Sequence, residues 1–344
     1  DHVGATRLSA AQVARPKSAQ DRATQRDADS TMKVLVTGAS GLLGRSLVRL
    51  LTVTPGEYDV VGLAYSRATP PLRKLDLLDD AAVSSLFAEV KPEIVIHCAA
   101  ERFPDRAAAD PERTKALNVG VCSRLADECA KIGACLVYIS TDYVFDGGVK
   151  SGEFAPYQPT ATPMPLNLYG ETKRDGEVAV LGVAGAHPIV LRVPVLYGVD
   201  QATLDESASL VVANVLKGAS TEPKKVDDWG IRFPTLVDDV SAALKLIIDR
   251  QRQPEKLTGI FHCTASERTT KYTLALMMAE ILGVPSAHLV ADSEPPAGAP
   301  RPQNTQLDPS SLWAAVGSEV KFTPLRDGLA KALEAHKTSF ASVD

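Results

Sequence analysis

The sequence predicts an α/β fold, a doubly wound parallel sheet with a smaller, discontinuous C-terminal lobe. Three observations carry this. Short β-branched runs alternate with helical patterns from Lys33 to about Tyr197, the arrangement of a parallel sheet wrapped by helices on both faces. The first run, Val34-Leu-Val-Thr-Gly38-Ala-Ser-Gly41-Leu-Leu-Gly44, passes from an apolar strand through glycines three apart into an amphipathic pattern. After Tyr197 the alternation decays, and strand character returns only briefly at Gly259-Ile-Phe-His-Cys263.

Taken in order, strands are expected near 33–37, 59–64, 72–76, 93–98, 135–140 and 188–193, where apolar and β-branched residues run together. Helical spacing places helices at Leu42 to Leu51, at Ala81 to Val90 and, as one long element, from about Glu112 to Ile132. Segments 205–217, 236–250 and 271–282 also read as helical. The run Pro295-Pro-Ala-Gly-Ala-Pro-Arg-Pro302 is expected as an ordered loop or linker rather than an element, because proline removes donors and fixes φ. The chain then divides into a disordered extension at 1–31, a nucleotide-binding unit at 32–197 and a substrate or partner lobe at 198–344, with the return strand near 259–263. The extension is poor in large apolar residues and cannot offset the entropy of ordering. Its arginines suggest a transit peptide, but Asp1, Asp21, Asp27 and Asp29 count against one.

The glycine run has a physical use. Gly38 permits a tight turn, Gly41 removes a side chain from the path of a pyrophosphate, and Gly44 lets the helix lie close to its strand. The helix N-terminus then faces the anion, as in a Rossmann-type dinucleotide site. An NAD site of this kind usually carries an acidic residue about 20 positions further on. Here Tyr65, Ser66 and Arg67 follow the second strand, and a hydroxyl beside a guanidinium suits a 2′-phosphate. NADP is therefore expected, and an epimerase or dehydratase with tightly held NAD is disfavoured.

The composition narrows the class. A chain of 344 residues with 45% apolar and 23% charged residues can bury a full core. Its net charge of −5, without a basic run, argues against nucleic acid as the main partner. No run of 18 apolar residues exists, so no membrane span is expected. Five cysteines form no CxxC pair and leave an odd count, which favours a reducing, cytoplasmic setting. The histidines form no HExxH pattern and no cluster with cysteine, so no metal site is expected, and His97 reads as a packed strand residue.

Tyr169-Gly-Glu-Thr-Lys173 opens a helix, and the spacing of four puts phenol and ammonium on one face. The ammonium is expected to lower the phenol's pKa and ready it for proton transfer to a carbonyl oxygen. Ser140 and Thr141 end the strand before it and offer hydroxyls at the same edge. These residues resemble the extended short-chain dehydrogenase/reductase family over about residues 32–325. Ser140-Thr-Asp-Tyr-Val-Phe-Asp-Gly147, Pro165-Leu-Asn-Leu-Tyr-Gly-Glu-Thr-Lys173 and Leu191-Arg-Val-Pro-Val-Leu-Tyr-Gly198 are similar to its dTDP-4-dehydrorhamnose reductase branch. The resemblance implies Tyr169 as proton donor, Lys173 on the nicotinamide ribose and Thr141 on the reacting carbonyl. It also implies that Ala99 and Ala100 line the cofactor, that Asp76 and Leu77 approach the adenine, and that Pro194 and Val195 approach the nicotinamide. Ser40, Leu42 and Leu43 of the glycine loop, together with Asn118, complete the candidate cofactor contacts.

His97-Cys-Ala-Ala-Glu-Arg-Phe-Pro-Asp105, Trp229-Gly-Ile-Arg-Phe-Pro-Thr235 and Arg301-Pro-Gln-Asn-Thr-Gln-Leu-Asp308 further resemble the methionine adenosyltransferase regulatory (β) subunits. That resemblance implies an NADP-binding partner of the catalytic subunit that makes S-adenosylmethionine. The alternative it leaves is an NADPH-dependent sugar-nucleotide reductase. The chain departs from the β subunits in its tail, which lacks their aromatic and basic ending and reads Ala335-His-Lys-Thr-Ser-Phe-Ala-Ser-Val-Asp344.

Overall fold

A computed structural model of the chain describes residues 31–53, 55–217 and 222–340. The expected extension lies outside the described residues up to position 30, as does the tail from position 341. The first strands are β1 (Met32–Thr37), β2 (Tyr58–Ala64), β3 (Arg73–Lys74), β4 (Ile94–His97), β5 (Cys135–Thr141) and β6 (Ile189–Val193). Short β7 (Leu196–Tyr197), β8 (Lys224–Asp227) and β9 (Thr235–Leu236) precede β10 (Gly259–His262) and β11 (Leu289–Asp292). Seven strands form one parallel sheet in the order β10-β6-β5-β4-β1-β2-β3. The direction of travel reverses at β1, with β2 on one side and β4 on the other, which opens a crevice beyond their carboxyl ends.

The helices are α1 (Leu42–Thr52), α2 (Asp80–Val90), α3 (Pro104–Ala109), α4 (Pro111–Lys115), α5 (Val121–Ile132) and α6 (Leu168–Leu181). The second part of the chain contributes α7 (Val237–Arg250), α8 (Lys271–Leu282), α9 (Ser310–Val316) and α10 (Leu325–Glu334). Strand alternation distributes the sheet's side chains between two cores. Val34, Val36 and Ile96 pack with Leu47 of α1 and Leu244 of α7 on one face. Leu35, Val95 and Leu136 pack with Phe87 of α2 and Leu125 of α5 on the other. Both faces are thus dry, which explains why the strands read as nearly unbroken apolar runs. A third core, built on Leu210, Leu274, Met278 and Leu329, sits in the C-terminal lobe.

Two helical expectations need correction. The long element at 112–132 is interrupted by a π-helical turn at Ala116–Gly120. Asn118 sits in that turn, buried, and its side chain binds the backbone of Glu101 and the hydroxyl of Thr172. Segment 205–217 forms 3-10 turns at Leu204–Glu206 and Leu210–Leu216 rather than an α-helix. The Ser207 hydroxyl explains the break, because it accepts from the backbone of Ser209 and Leu210 and so closes a local turn in place of a helical one.

A buried ion pair joins the sheet to α6. Arg192 on β6 meets Glu177 with Nε at 2.9 Å from Oε1 and Nη2 at 2.7 Å from Oε2. Ser140 on β5 donates to the same carboxylate at 2.5 Å. These contacts fix the helix that carries Tyr169 and Lys173 against the strand that carries Thr141.

Candidate functional site

A cavity of about 860 Å³ opens along the carboxyl edge of the sheet and extends under the C-terminal lobe. Its first wall is the loop between β1 and α1. Gly38 has φ +66°, and an added Cβ would stand 2.8 Å from the Ala99 nitrogen. At Gly44 a Cβ would overlap the Gly38 carbonyl, so close contact between helix and loop requires glycine there. Gly41 is the N-cap of α1 and offers no side chain to the first-turn N–H groups, and no acidic residue lies in that turn. Those donors, with Ser40, Leu42 and Leu43 beside them, lie on the cavity wall and suit a pyrophosphate.

Ser66 and Arg67 lie on the wall beyond β2, with Asp76 and Leu77 beyond β3 and Ala99 and Ala100 beyond β4. Pro194 and Val195 follow β6 on the same wall. Asn118 does not reach the wall. Its amide holds the loop after β4 to α6, which places it behind the cavity as a brace.

Thr141, Tyr169 and Lys173 all line this cavity. Asn167 caps α6 through the Gly170 nitrogen at 3.0 Å and so sets the start of the helix just before Tyr169. Lys173 Nζ donates to the Ile139 carbonyl at 2.7 Å and lies 4.0 Å above the Tyr138 ring. Burial lowers its pKa to about 8, against the ordinary value for lysine. Burial likewise raises the Tyr169 phenol well above 10, opposed by a hydrogen bond with Thr141. The expected lowering of the phenol by the ammonium is therefore not what this arrangement produces. Desolvation dominates the phenol, and the ammonium is anchored on a backbone carbonyl.

The two strand-end hydroxyls behave differently. Ser140 is committed to Glu177. Thr141 accepts from the Tyr143 nitrogen and donates to Asp142 Oδ1 at 3.1 Å. Asp142 is buried and also accepts from Thr305 at 2.6 Å, and burial raises its pKa. His97 is packed within the sheet, with Nδ1 2.7 Å from the Thr37 hydroxyl, and burial lowers its pKa to about 3.

Several wall residues were not singled out from the sequence. Arg102, Arg232 and Arg301 also line the cavity. Arg232 donates to the Tyr143 hydroxyl at 3.1 Å, and Tyr143 meets Tyr169 edge-on with ring centres 6.1 Å apart. The signal was present, since all three arginines lie inside the motifs that carried the second resemblance. Glu206, which does not line the cavity although its neighbours Asp205 and Ser207 do, gave no comparable signal. Its carboxylate lies 2.6 Å from Arg45 Nη2 and 3.6 Å from Arg67 Nη1. All five cysteines are free. Among the described residues no cluster of three His, Cys, Asp or Glu could hold a metal, and no helix is long and apolar enough to cross a membrane.

A glycine cradle at the sheet's switch point, with Thr, Tyr and Lys gathered beyond it, defines a protein of the extended short-chain dehydrogenase/reductase class. The RmlD substrate binding domain family matches residues 32–338. Methionine adenosyltransferase 2 subunit beta of Xenopus tropicalis is 43% identical over 88% of this chain and 87% of its own length. The dTDP-4-dehydrorhamnose reductase of Streptomyces griseus is 33% identical over 88% and 92%. A crystal structure of the Bacillus anthracis dTDP-4-dehydrorhamnose reductase in complex with NADP shares the fold, with a TM-score of 0.73 at 24% identity over 88% of this chain and 99% of that one. The chain belongs to the RmlD substrate binding domain family and, within it, groups with the methionine adenosyltransferase 2 beta subunits.

Proposed function

We propose that the protein is an NADP-binding regulatory subunit of methionine adenosyltransferase, associated with the catalytic subunit that makes S-adenosylmethionine. The observation that carries this is the 43% identity to a beta subunit along 88% of the chain, against 33% to a reductase over the same span. The cleft supports the cofactor part. Gly38, Gly41 and the first turn of α1 would hold the pyrophosphate, Arg67 the 2′-phosphate and Lys173 the nicotinamide ribose. In this reading the cofactor ties the strand ends together and the outer surface meets the partner, in the cytoplasm.

A second reading is favoured by one specific observation, the convergence of Thr141, Tyr169 and Lys173 on the same cavity. The nicotinamide would supply hydride to a carbonyl carbon of a sugar nucleotide. Tyr169 would give its phenolic proton to the carbonyl oxygen, oriented by Thr141, and Lys173 would favour the phenolate left behind. Arginines of the cavity wall, such as Arg232 and Arg301, would meet the substrate's diphosphate.

Tyr169→Phe separates the two readings. It keeps the ring and removes the hydroxyl, so a regulatory subunit should retain cofactor affinity, partner binding and its effect on S-adenosylmethionine formation. A reductase should lose about 10²- to 10⁴-fold in NADPH oxidation with a 4-keto sugar nucleotide. Strong wild-type reduction abolished in the variant, with no effect on the synthetase, would overturn the regulatory reading.

A further inference from the structure

The sequence lacks the acidic residue that an NAD site usually carries after its second strand, and the fold brings a carboxylate from far along the chain to the arginine that stands there instead. Glu206 lies on the 3-10 turn Leu204–Glu206 of the C-terminal lobe, with its side chain 15% exposed. It meets Arg45 of α1 at 2.6 Å and Arg67 beyond β2 at 3.6 Å. Its backbone carbonyl accepts from Arg102 Nη2 at 2.8 Å. Arg45 also donates to the Asp200 carbonyl at 2.8 Å. Arginines from three places along the sheet edge therefore hold one short turn, and Arg67 is already shared when a ligand arrives.

We propose that Glu206 sets the cofactor preference, acting as a brake on 2′-phosphate recognition by compensating the charge of Arg67. The proposal rests on reading the cleft as an NADP site and adds a residue that limits it. A 2′-phosphate placed at Arg67 meets the guanidinium and, behind it, the Glu206 charge, which opposes it. NAD presents a neutral hydroxyl at that position and is indifferent to the carboxylate. Removal of one negative charge beside an anion site tightens anion binding, and the Coulomb law with a dielectric close to that of bulk water gives about five- to tenfold for a doubly charged phosphate about 6–7 Å away.

The experiment compares NADP and NAD dissociation constants by calorimetry for the full-length wild type, Glu206→Gln and Glu206→Ser. Glu206→Gln keeps the shape and hydrogen-bonding capacity of the side chain, and Glu206→Ser removes both with the charge. Thermal melts identify the variants that fold. The expected result is NADP binding about five- to tenfold tighter in both variants, with NAD unchanged and the gain shrinking in 0.5 M salt. NADP binding that is unchanged or weakened, or an equal shift for both cofactors, overturns the role of Glu206 and leaves the NADP site standing. A wild type that binds neither cofactor overturns the NADP reading and this inference with it.

Discussion

Replacing Arg192 by methionine removes a guanidinium that is 1% exposed and leaves the Glu177 carboxylate, 3% exposed, without its ionic partner. Both charge-assisted hydrogen bonds to the carboxylate are lost, at 2.9 and 2.7 Å, along with one from Nη1 to the Pro159 carbonyl at 3.2 Å, and only the Ser140 hydroxyl remains on the carboxylate. At about 1.5–3 kcal/mol for each such bond the loss is about 3–6 kcal/mol. This overlaps the about 3–5 kcal/mol found on breaking a buried ion pair. Urea unfolding followed by tryptophan fluorescence reads it directly. With a slope near about 3 kcal/mol per molar for a chain of this size, the midpoint should fall by at least about 1 M. Replacement of both Arg192 and Glu177 by methionine should cost less than Arg192→Met alone, because no buried charge is then left unpaired. A single variant that moves the midpoint by less than about 0.3 M would refute the view that this pair braces α6 against β5 and β6.

Gly41→Val should weaken NADP and NAD alike in calorimetric titration while leaving the fold intact, since its Cβ meets only the Gly38 carbonyl, at 3.0 Å, and the rest of the branched side chain enters the pyrophosphate path; unchanged affinity would remove this loop from the site. Stability should also fall between pH 7 and pH 5.5. His97 and His262 are both held near pKa 3 in the fold, chiefly by burial, against about 6.5 when unfolded. The unfolded chain thus binds more protons below pH 6.5, and each histidine should cost about 1 kcal/mol by pH 5.5. A urea midpoint that does not change over that interval would show that these rings are not buried in the neutral form.

The sheet was legible because its strands are buried on both faces, so β1, β4, β5 and β6 announce themselves as apolar runs. The glycine loop was legible for a steric reason, since a side chain at Gly38 or Gly44 collides with backbone. The helical reading of 205–217 followed its apolar spacing, and the Ser207 hydroxyl broke that helix by capping two nearby amides. No local pattern encodes a contact such as Glu206 with Arg67, which links positions 139 apart and depends on how the C-terminal lobe lies over the sheet edge. Asn118 was assigned to the right neighbourhood but to the wrong side of the wall. Its burial behind the loop after β4 is set by the π-helical turn, which residue spacing does not reveal.

The candidate triad is also part of the scaffold, and this bears on what its presence means. Thr141 caps the turn that follows β5, Lys173 pins the Ile139 carbonyl, and Asn167 caps the helix on which Tyr169 stands. The segment 300–308 returns to the same place, where Pro300 accepts from Asn167 and Thr305 donates to Asp142. Loss of Thr141 or Lys173 would therefore disturb the fold in a protein that performs no chemistry, so a regulatory subunit has structural reason to keep both. The Tyr169 hydroxyl differs, because burial holds it protonated and its contact with Thr141 duplicates a fixing role that Asp142 and the Tyr143 amide already fill. Among the three residues it is the group whose removal least disturbs the scaffold and most disturbs a proton transfer, which is why phenylalanine at position 169 discriminates between subunit and reductase.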